Sequence, residues 1–461
     1  MYPEAADSLL IRDIHTLVLM DPQNTILHGG FVYAEGGEIK QIGTRLPETL
    51  CPDRTITAPC AVAIPGLVNT HHHLYQTLTR ACTASADAEL FDWLRALYPL
   101  WARLDEEAVH VAATVGMAEL LLSGCTTTSD HHYVFPDGQA KLIDAEIAAA
   151  REIGIRFHPT RGSMSVGQSG GGLPPDCEVQ DEDAILADCE RLIGKYHDPA
   201  PGSMLRIALA PCSPFSVSPE LMLRTAALAE RYQVRLHTHL AETRDEEAYC
   251  LGRFGKRPLD LLSDAGWLGG NTWLAHGIYF NDREIDRLGS AGVGIAHCPS
   301  SNMRLGSGIA PVIRLRRAGC PVGLGVDGSA SNDSSHMLAE ARQALLLNRL
   351  AHGAAALSVR QALRMATVEG ARCLGRDDIG SLEPGKRADV ALFDLRDVGY
   401  SGAEDGLSAL LLCAPGRVET LVVNGRVVVE DHQVRTLALA PVLTRHRRIA
   451  ARLVGSQALS W

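Results

Sequence analysis

The chain has 461 residues, a formal net charge of −11, and 46% hydrophobic against 21% charged residues, the proportions of a folded globular protein with room for more than one domain. The negative balance, with no Lys/Arg run to offset it locally, argues against a nucleic-acid polymer as partner, and no apolar stretch approaches the roughly 20 residues that cross a bilayer. Twelve cysteines without CxxC spacing read as the reduced thiols of a cytoplasmic protein, and the acidic start MYPEAADSLLIRD reads as no signal peptide.

The first segment breaks into strand-like runs, LLIRDIHTLVLM, GGFVYAEGGEIKQIG and ITAPCAVAIPG, separated by Asp, Gly and Pro turn signals. The same style returns in ADVALFDL and VETLVVNGRVVVEDHQV, where Asn424-Gly425 signals a hairpin. A small β-sandwich built from residues 1–60 and 379–439 follows, with a closing helix over 440–461. Between these ends, short apolar runs recur at AVAIPGLVNT, CTTTSD, GIRFHPT, LRIALAP, VRLHTH, TWLAH, VGIAH and PVGLGVD. They alternate with stretches of helical periodicity such as EEAVHVAATVGMAELLLSG, PELMLRTAALAERY and HMLAEARQALLLNRLAHG. The alternation predicts an α/β fold, a (β/α)8 TIM barrel over residues 61–378. GQSGGGLPPD, residues 167–176, follows the third strand and is placed as a lid over the barrel mouth.

Several runs end in groups that carry chemistry, and the C-terminal tips of barrel strands are where such a fold collects its site. His71 and His73 are two apart, so the strand pleat points both to one side and turns His72 away as a packed or hydrogen-bonded histidine. In HTHLAE, His237 and His239 also share a face; spacing does not choose between them, although His239 lies nearer the tip. His276 ends TWLAH and Asp327 ends PVGLGVD. Three imidazoles and a carboxylate suit Zn²⁺, with Fe²⁺ or Mn²⁺ as alternatives, and burying so many ionisable groups with no ion would cost several kcal/mol. HExxH, GxSxG, a Walker loop and a post-strand GxGxxG are all missing, as is the compact zinc-deaminase pattern, because Pro211-Cys212 continues as Ser213-Pro214.

With these residues placed, the chain resembles the amidohydrolase superfamily, specifically its cytosine/guanine-deaminase-like branch, over essentially its whole length. The motifs are PGLVNTHHH, HLAE, AHG, AHCPSSNMRLGSGIAP, GVDGSASND and GSLEPGKRADVALFDL. The resemblance implies one zinc per subunit held by His71, His73, His239 and Asp327, since the family pattern puts a ligand three residues before the catalytic Glu. Relatives with two metals carry a carboxylated Lys on the fourth strand, and LRIALAPCSP has none. It further implies proton handling by Glu242, His276 and Asp327. Asp327 would accept the proton of an attacking water, His276 would orient that water, and Glu242 would protonate a ring nitrogen beside the amino-bearing carbon.

Gln76 stands where guanine deaminases carry a Gln that reads the guanine face, its amide offering a donor and an acceptor to a lactam edge. The Arg that those enzymes place before Phe-Ser on the fourth strand is Pro214 here, a departure from plain guanine recognition. HHHLYQTLTRA, ELFDWL, SDHHY, RGSMSVG with GGLPPD, and APCSPFSV look most like bacterial 8-oxoguanine deaminases, with similar fragments in isoxanthopterin and hydroxy-triazine aminohydrolases. The expected substrate is a small heteroaromatic, 8-oxoguanine converted to urate and ammonia. Isoxanthopterin, guanine or a hydroxy-triazine are the alternatives within the branch, and a non-catalytic binding or scaffold member is the alternative from another class. Arg161, at the tip of the third strand, is expected to meet the extra carbonyl or to bond loop carbonyls. Cys212 is expected to touch the ring or to pack as a small buried thiol. Trp93 and Trp101 read as core by helix spacing, and His131, His132, His237 and His297 receive no role. Relatives are often homo-oligomers, and the same is expected here.

Overall fold

The computed structural model describes residues 7–136, 139–413 and 415–455. Eight parallel strands close into a barrel: β1 (Leu67–Asn69), β2 (Cys125–His132), β3 (Arg156–Ser163), β4 (Ala208–Pro211), β5 (Arg235–Leu240), β6 (Thr272–His276), β7 (Gly294–His297) and β8 (Val322–Leu324), with Leu324 pairing back on Asn69. Each apolar run supplies one of these strands. The helices Glu106–Leu122, Pro219–Tyr232 and Met337–His352 lie where the periodicity predicts them. Their starts are fixed locally: Asp105 accepts from Ala108 N, and Ser218 accepts from Leu221 N just before Pro219 at the first helical position.

Strands from both ends of the chain form a separate nine-stranded sheet. Val390–Asp394 runs antiparallel to Ala61–Pro65 and joins the two ends, and Asn424 and Gly425, at φ 52° and 78°, make the two-residue turn between Val423 and Arg426. Pleat alternation divides the side chains of this sheet between two cores. Ala63, Leu392 and Val422 pack with Leu17, Val32 and Ile39 inside the terminal unit, whereas Val62, Ile64, Phe393 and Leu421 face the barrel core.

The run 61–70 is therefore not one barrel strand. Ala61–Pro65 belongs to the terminal sheet, and only Leu67–Asn69 enters the barrel. The change occurs at Gly66, where a Cβ would lie 2.2 Å from Thr126 Oγ1, so only glycine lets the chain step this close to β2. A closing helix, Leu439–Val454, buries Ile449 and Leu453 and reaches the barrel through Arg445–Glu107 and Arg452–Asp105 contacts at 3.0 Å each. Residues 1–6, and residues 456–461 of the expected helix, lie outside the described residues. Among the described residues, no helix is long and apolar enough to cross a membrane.

Asp389 ties the terminal sheet to the barrel. Its buried carboxylate takes the Arg156 guanidinium of β3 and the Asn424 N–H at 2.7 Å, while its carbonyl accepts from Gly66 N at 2.9 Å. Asp389→Ala would leave Arg156 as an uncompensated buried cation. The expected loss is about 3–5 kcal/mol of unfolding free energy, measured by urea denaturation.

Candidate metal centre and active site

Beyond β1 the chain leaves the barrel ladder, and His72–His73 pairs with Asp327–Gly328 just past β8. This two-residue pairing, with Asp327 N donating to His71 O at 3.1 Å, brings the first and last strand tips together. Gly325 permits the approach, since a Cβ there would lie 2.7 Å from His71 Cβ. Three other tip residues turn through left-handed backbone, Ala241 at φ 54°, His276 at 70° and Asp327 at 60°. Such conformations cost on the order of 1–3 kcal/mol each and persist where the surroundings over-determine them. At Ala241 the surroundings are Glu246, whose carboxylate accepts from Ala241 N at 2.8 Å and Glu242 N at 3.0 Å.

Carbonyl oxygens only accept hydrogen bonds, and this fixes the imidazole tautomers. His73 Nδ1 lies 2.7 Å from His131 O, His239 Nδ1 lies 2.7 Å from Cys212 O, and His237 Nδ1 lies 2.9 Å from Trp273 O, so each of these nitrogens carries its proton. His237 Nε2 is then a lone pair and accepts from His71 Nδ1 at 2.8 Å. His71, His73 and His239 consequently all present Nε2 lone pairs to one point. His73 Nε2 and His239 Nε2 are 3.2 Å apart, and Asp327 Oδ1 lies 3.2 Å from Nε2 of both His71 and His73. Three lone pairs and a carboxylate packed this closely repel one another, and a cation among them relieves the repulsion. His71 Nε2 has no hydrogen-bond partner among the described residues. Nitrogen and oxygen donors in this ratio, each braced from behind, fit zinc, the expected cofactor.

The electrostatics agree with that occupant. Burial draws His71 and His239 well below the usual imidazole range, into the neutral form that ligates. Burial alone would raise Asp327, but the neighbouring His71 and His73 imidazoles outweigh it and hold the carboxylate well below its ordinary range. Glu242 goes the other way: burial, then the charge of Asp327, push it well above the carboxylate range. Its Oε2 is 3.6 Å from His276 Nε2, which is 4.0 Å from Asp327 Oδ2, and Asn302 Oδ1 holds His276 Nδ1 at 3.0 Å.

A cavity opens beside these groups, and Gln76, Cys212, His239, Glu242, His276 and Asp327 all line it. Gln76 is buried, neither amide atom has a hydrogen-bond partner among the described residues, and it is pressed against Gly328, where a Cβ would meet Gln76 Oε1 at 1.7 Å. The Cys212 thiol, pushed up to about 12 by burial, is neutral. Trp93 lines the cavity and donates to Ala330 O at 3.1 Å, whereas Trp101 is core, as its spacing predicts. Arg161 is not brought to the cavity. Its guanidinium lies over the Phe135 ring at 3.8 Å and is spent on Asp188 at 2.7 Å, Gln180 at 2.9 Å and Gly162 O, which makes it a brace of the loop after β3. Residues 167–176 do not line the cavity either; Leu173 N donates at 3.2 Å to the carbonyl of Phe215, a wall residue.

Sequence reasoning gave no role to Asn302, Tyr133 or Ser331, although all three fall within quoted motifs. Tyr133 and Ser331 line the cavity, and Ser331 Oγ donates to Asp327 Oδ2 at 3.3 Å. His131 stacks on His239 at 4.7 Å and gives its Nε2 proton to Ala210 O at 2.9 Å. His72 points away to Ser335 Oγ at 3.0 Å. His132 Nε2 donates to Val134 O at 2.8 Å, so its Nδ1 accepts from Glu146 at 2.8 Å, whose carboxyl burial has raised to about 8. His297 is buried, and burial lowers it to about 3, so it stays neutral.

Residues 62–428 match the amidohydrolase family. The chain is 55% identical over 429 residues, 91% of its length and 95% of the relative, to an 8-oxoguanine deaminase of Pseudomonas aeruginosa. It is 38% identical, over 91% of its length and 90% of the relative, to a hydroxydechloroatrazine ethylaminohydrolase of Pseudomonas sp. strain ADP. Among solved structures, atrazine chlorohydrolase of Arthrobacter aurescens TC1 complexed with zinc superposes with a TM-score of 0.93 at 35% identity, over 96% of this chain and 100% of that one.

His237 supplies the acceptor that sets the His71 tautomer, and its ring also stacks on Trp273 at 4.4 Å. His237→Phe preserves the stack and removes the acceptor. Zinc affinity, measured by competition with a chelator, is expected to fall by about 10–100-fold with the far-ultraviolet circular dichroism unchanged.

Proposed function

The chain belongs to the amidohydrolase family, and from that premise we propose that it hydrolyses the exocyclic C–N bond of a free oxidised purine, 8-oxoguanine, to give urate and ammonia. The enzyme class is a metal-dependent aminohydrolase. The observation that carries the reaction is the division between two carboxyl groups in one cavity, with Asp327 held ionised and Glu242 held protonated. The substrate is drawn from the 55% identical Pseudomonas relative.

His71, His73, His239 and Asp327 are the proposed zinc ligands. Zinc, when bound, supplies Lewis acidity that lets a water ionise near pH 7 instead of about 15.7. Gln76, neither of whose amide atoms has a hydrogen-bond partner among the described residues, receives the lactam edge of the base. Glu242 gives its proton to the ring nitrogen next to the amino-bearing carbon, which makes that carbon electrophilic. Asp327 Oδ2, steadied by Ser331, takes the proton of the attacking water, and His276, clamped by Asn302, orients that water. The amine leaves after accepting a proton within the cavity. Cys212, a neutral thiol, packs along the wall and does not act as a nucleophile.

The finer placement of the enzyme is also proposed. Twelve unpaired cysteines support a reducing, cytoplasmic setting. Leu346 and Leu350, exposed one turn apart on Met337–His352, support a homo-oligomer.

Glu242→Gln should keep its zinc and lose about 10²–10⁴-fold in kcat, tested by metal analysis alongside ammonia release; near-normal turnover would mean that another acid serves. A panel of 8-oxoguanine, guanine, isoxanthopterin and a hydroxy-triazine, ranked by kcat/KM, is expected to place 8-oxoguanine first. Another base in first place would reassign the substrate.

A further inference from the structure

A second cavity, of about 720 Å³, opens at the opposite end of the barrel, where β3, β4 and β5 begin. Arg235, the first residue of β5, lines it, and among the described residues it has neither a hydrogen-bond acceptor nor a carboxylate partner. Its Nε is buried and unpaired, and its guanidinium stands 5.8 Å over the Trp273 ring. Arg206, also lining the cavity, donates only to neutral oxygens: Ser203 Oγ at 3.2 Å and the carbonyls of Pro199 at 3.0 Å, Ala200 at 3.1 Å and Gly375 at 3.3 Å. Neither forms an ion pair among the described residues, although the charges of Asp378, Asp198 and Asp377 act on Arg206 from farther off, whereas the adjacent Arg376 is paired with Asp378 at 2.7 Å. His158 completes the set. Its Nε2 lies 3.2 Å from Arg376 Nη1, a group that can only donate, so the His158 proton sits on Nδ1, a donor with no partner among the described residues. The one carboxylate in the lining, Glu230, is exposed at the rim.

Two guanidiniums that form no ion pair among the described residues and a neutral N–H are thus a set of donors facing one cavity, in a chain whose net charge is −11. Guanidinium forks match oxyanions better than halides, because they give paired hydrogen bonds to adjacent oxygens. We propose that this cavity binds a tetrahedral oxyanion, free phosphate or the head of a small phosphate ester, between Arg235, Arg206 and the Nδ1–H of His158. Burial and the neighbouring Arg206 push Arg235 down to about 10, consistent with a cation short of negative charge. The site lies apart from the catalytic cavity, so its existence does not depend on the substrate assigned there.

Equilibrium dialysis of the zinc-loaded protein against labelled inorganic phosphate and glycerol 3-phosphate tests the proposal. The expected result is saturable binding of at least one of the two, weakened tenfold or more by Arg235→Met and recovered in part by Arg235→Lys. Among the described residues Arg235 makes no hydrogen bond that the substitution would break, so Arg235→Met is expected to fold. Tighter binding of glycerol 3-phosphate would assign an ester, and tighter binding of phosphate the free ion, each in support. No saturable binding of either, or equal binding by wild type and Arg235→Met, would overturn it.

Discussion

Three imidazole lone pairs and a carboxylate oxygen converge, with three of their separations at 3.2 Å, and this crowding is the constraint on which the site depends. It is produced away from the point of convergence, by the carbonyls of His131, Cys212 and Trp273 that fix where each ring carries its proton. Two of those acceptors act directly on a proposed ligand, and the third acts through His237. The barrel ladder therefore does more than place the side chains. By presenting backbone oxygens at set heights it also decides which nitrogen faces inward, and so makes the centre a ligand set for a divalent cation.

The same low-dielectric surroundings divide the proton chemistry. Asp327 and Glu242 are both buried and line one cavity, yet the neighbouring His71 and His73 imidazoles hold the first ionised, while burial beside the charge of the first holds the second protonated. Acid and base are thus separated by environment and not by residue type. The left-handed turns at Ala241, His276 and Asp327 belong to this arrangement, because they fall where strand tips deliver the proposed acid, the proposed orienting histidine and the carboxylate.

Much of this was legible in the residues. Alternating apolar runs and helical periodicity define the barrel, and two-residue spacing puts His71 and His73 on one side whether or not the strand continues that far. What the residues could not disclose depends on contacts between distant segments. The run 61–70 reads as one strand because nothing local marks the change of sheet; Gly66 acquires its meaning only against Thr126. Arg161 sits at a strand tip as expected, but Asp188 and Gln180 capture it first, and neither is predictable from its neighbours in sequence. His237 and His239 are equivalent by spacing. They differ because His237 lies next to the Trp273 carbonyl on the adjacent strand, and its free nitrogen faces His71 instead of the shared point.

X-ray absorption at the zinc edge of the purified protein reads directly which atoms surround the metal. One zinc per chain is expected, in a shell of three imidazole nitrogens, one carboxylate oxygen and a water oxygen at about 2.0–2.2 Å, with no sulfur at about 2.3 Å from the nearby Cys212. A shell containing sulfur, a shell with fewer than three imidazoles, or a protein that retains no transition metal would contradict it.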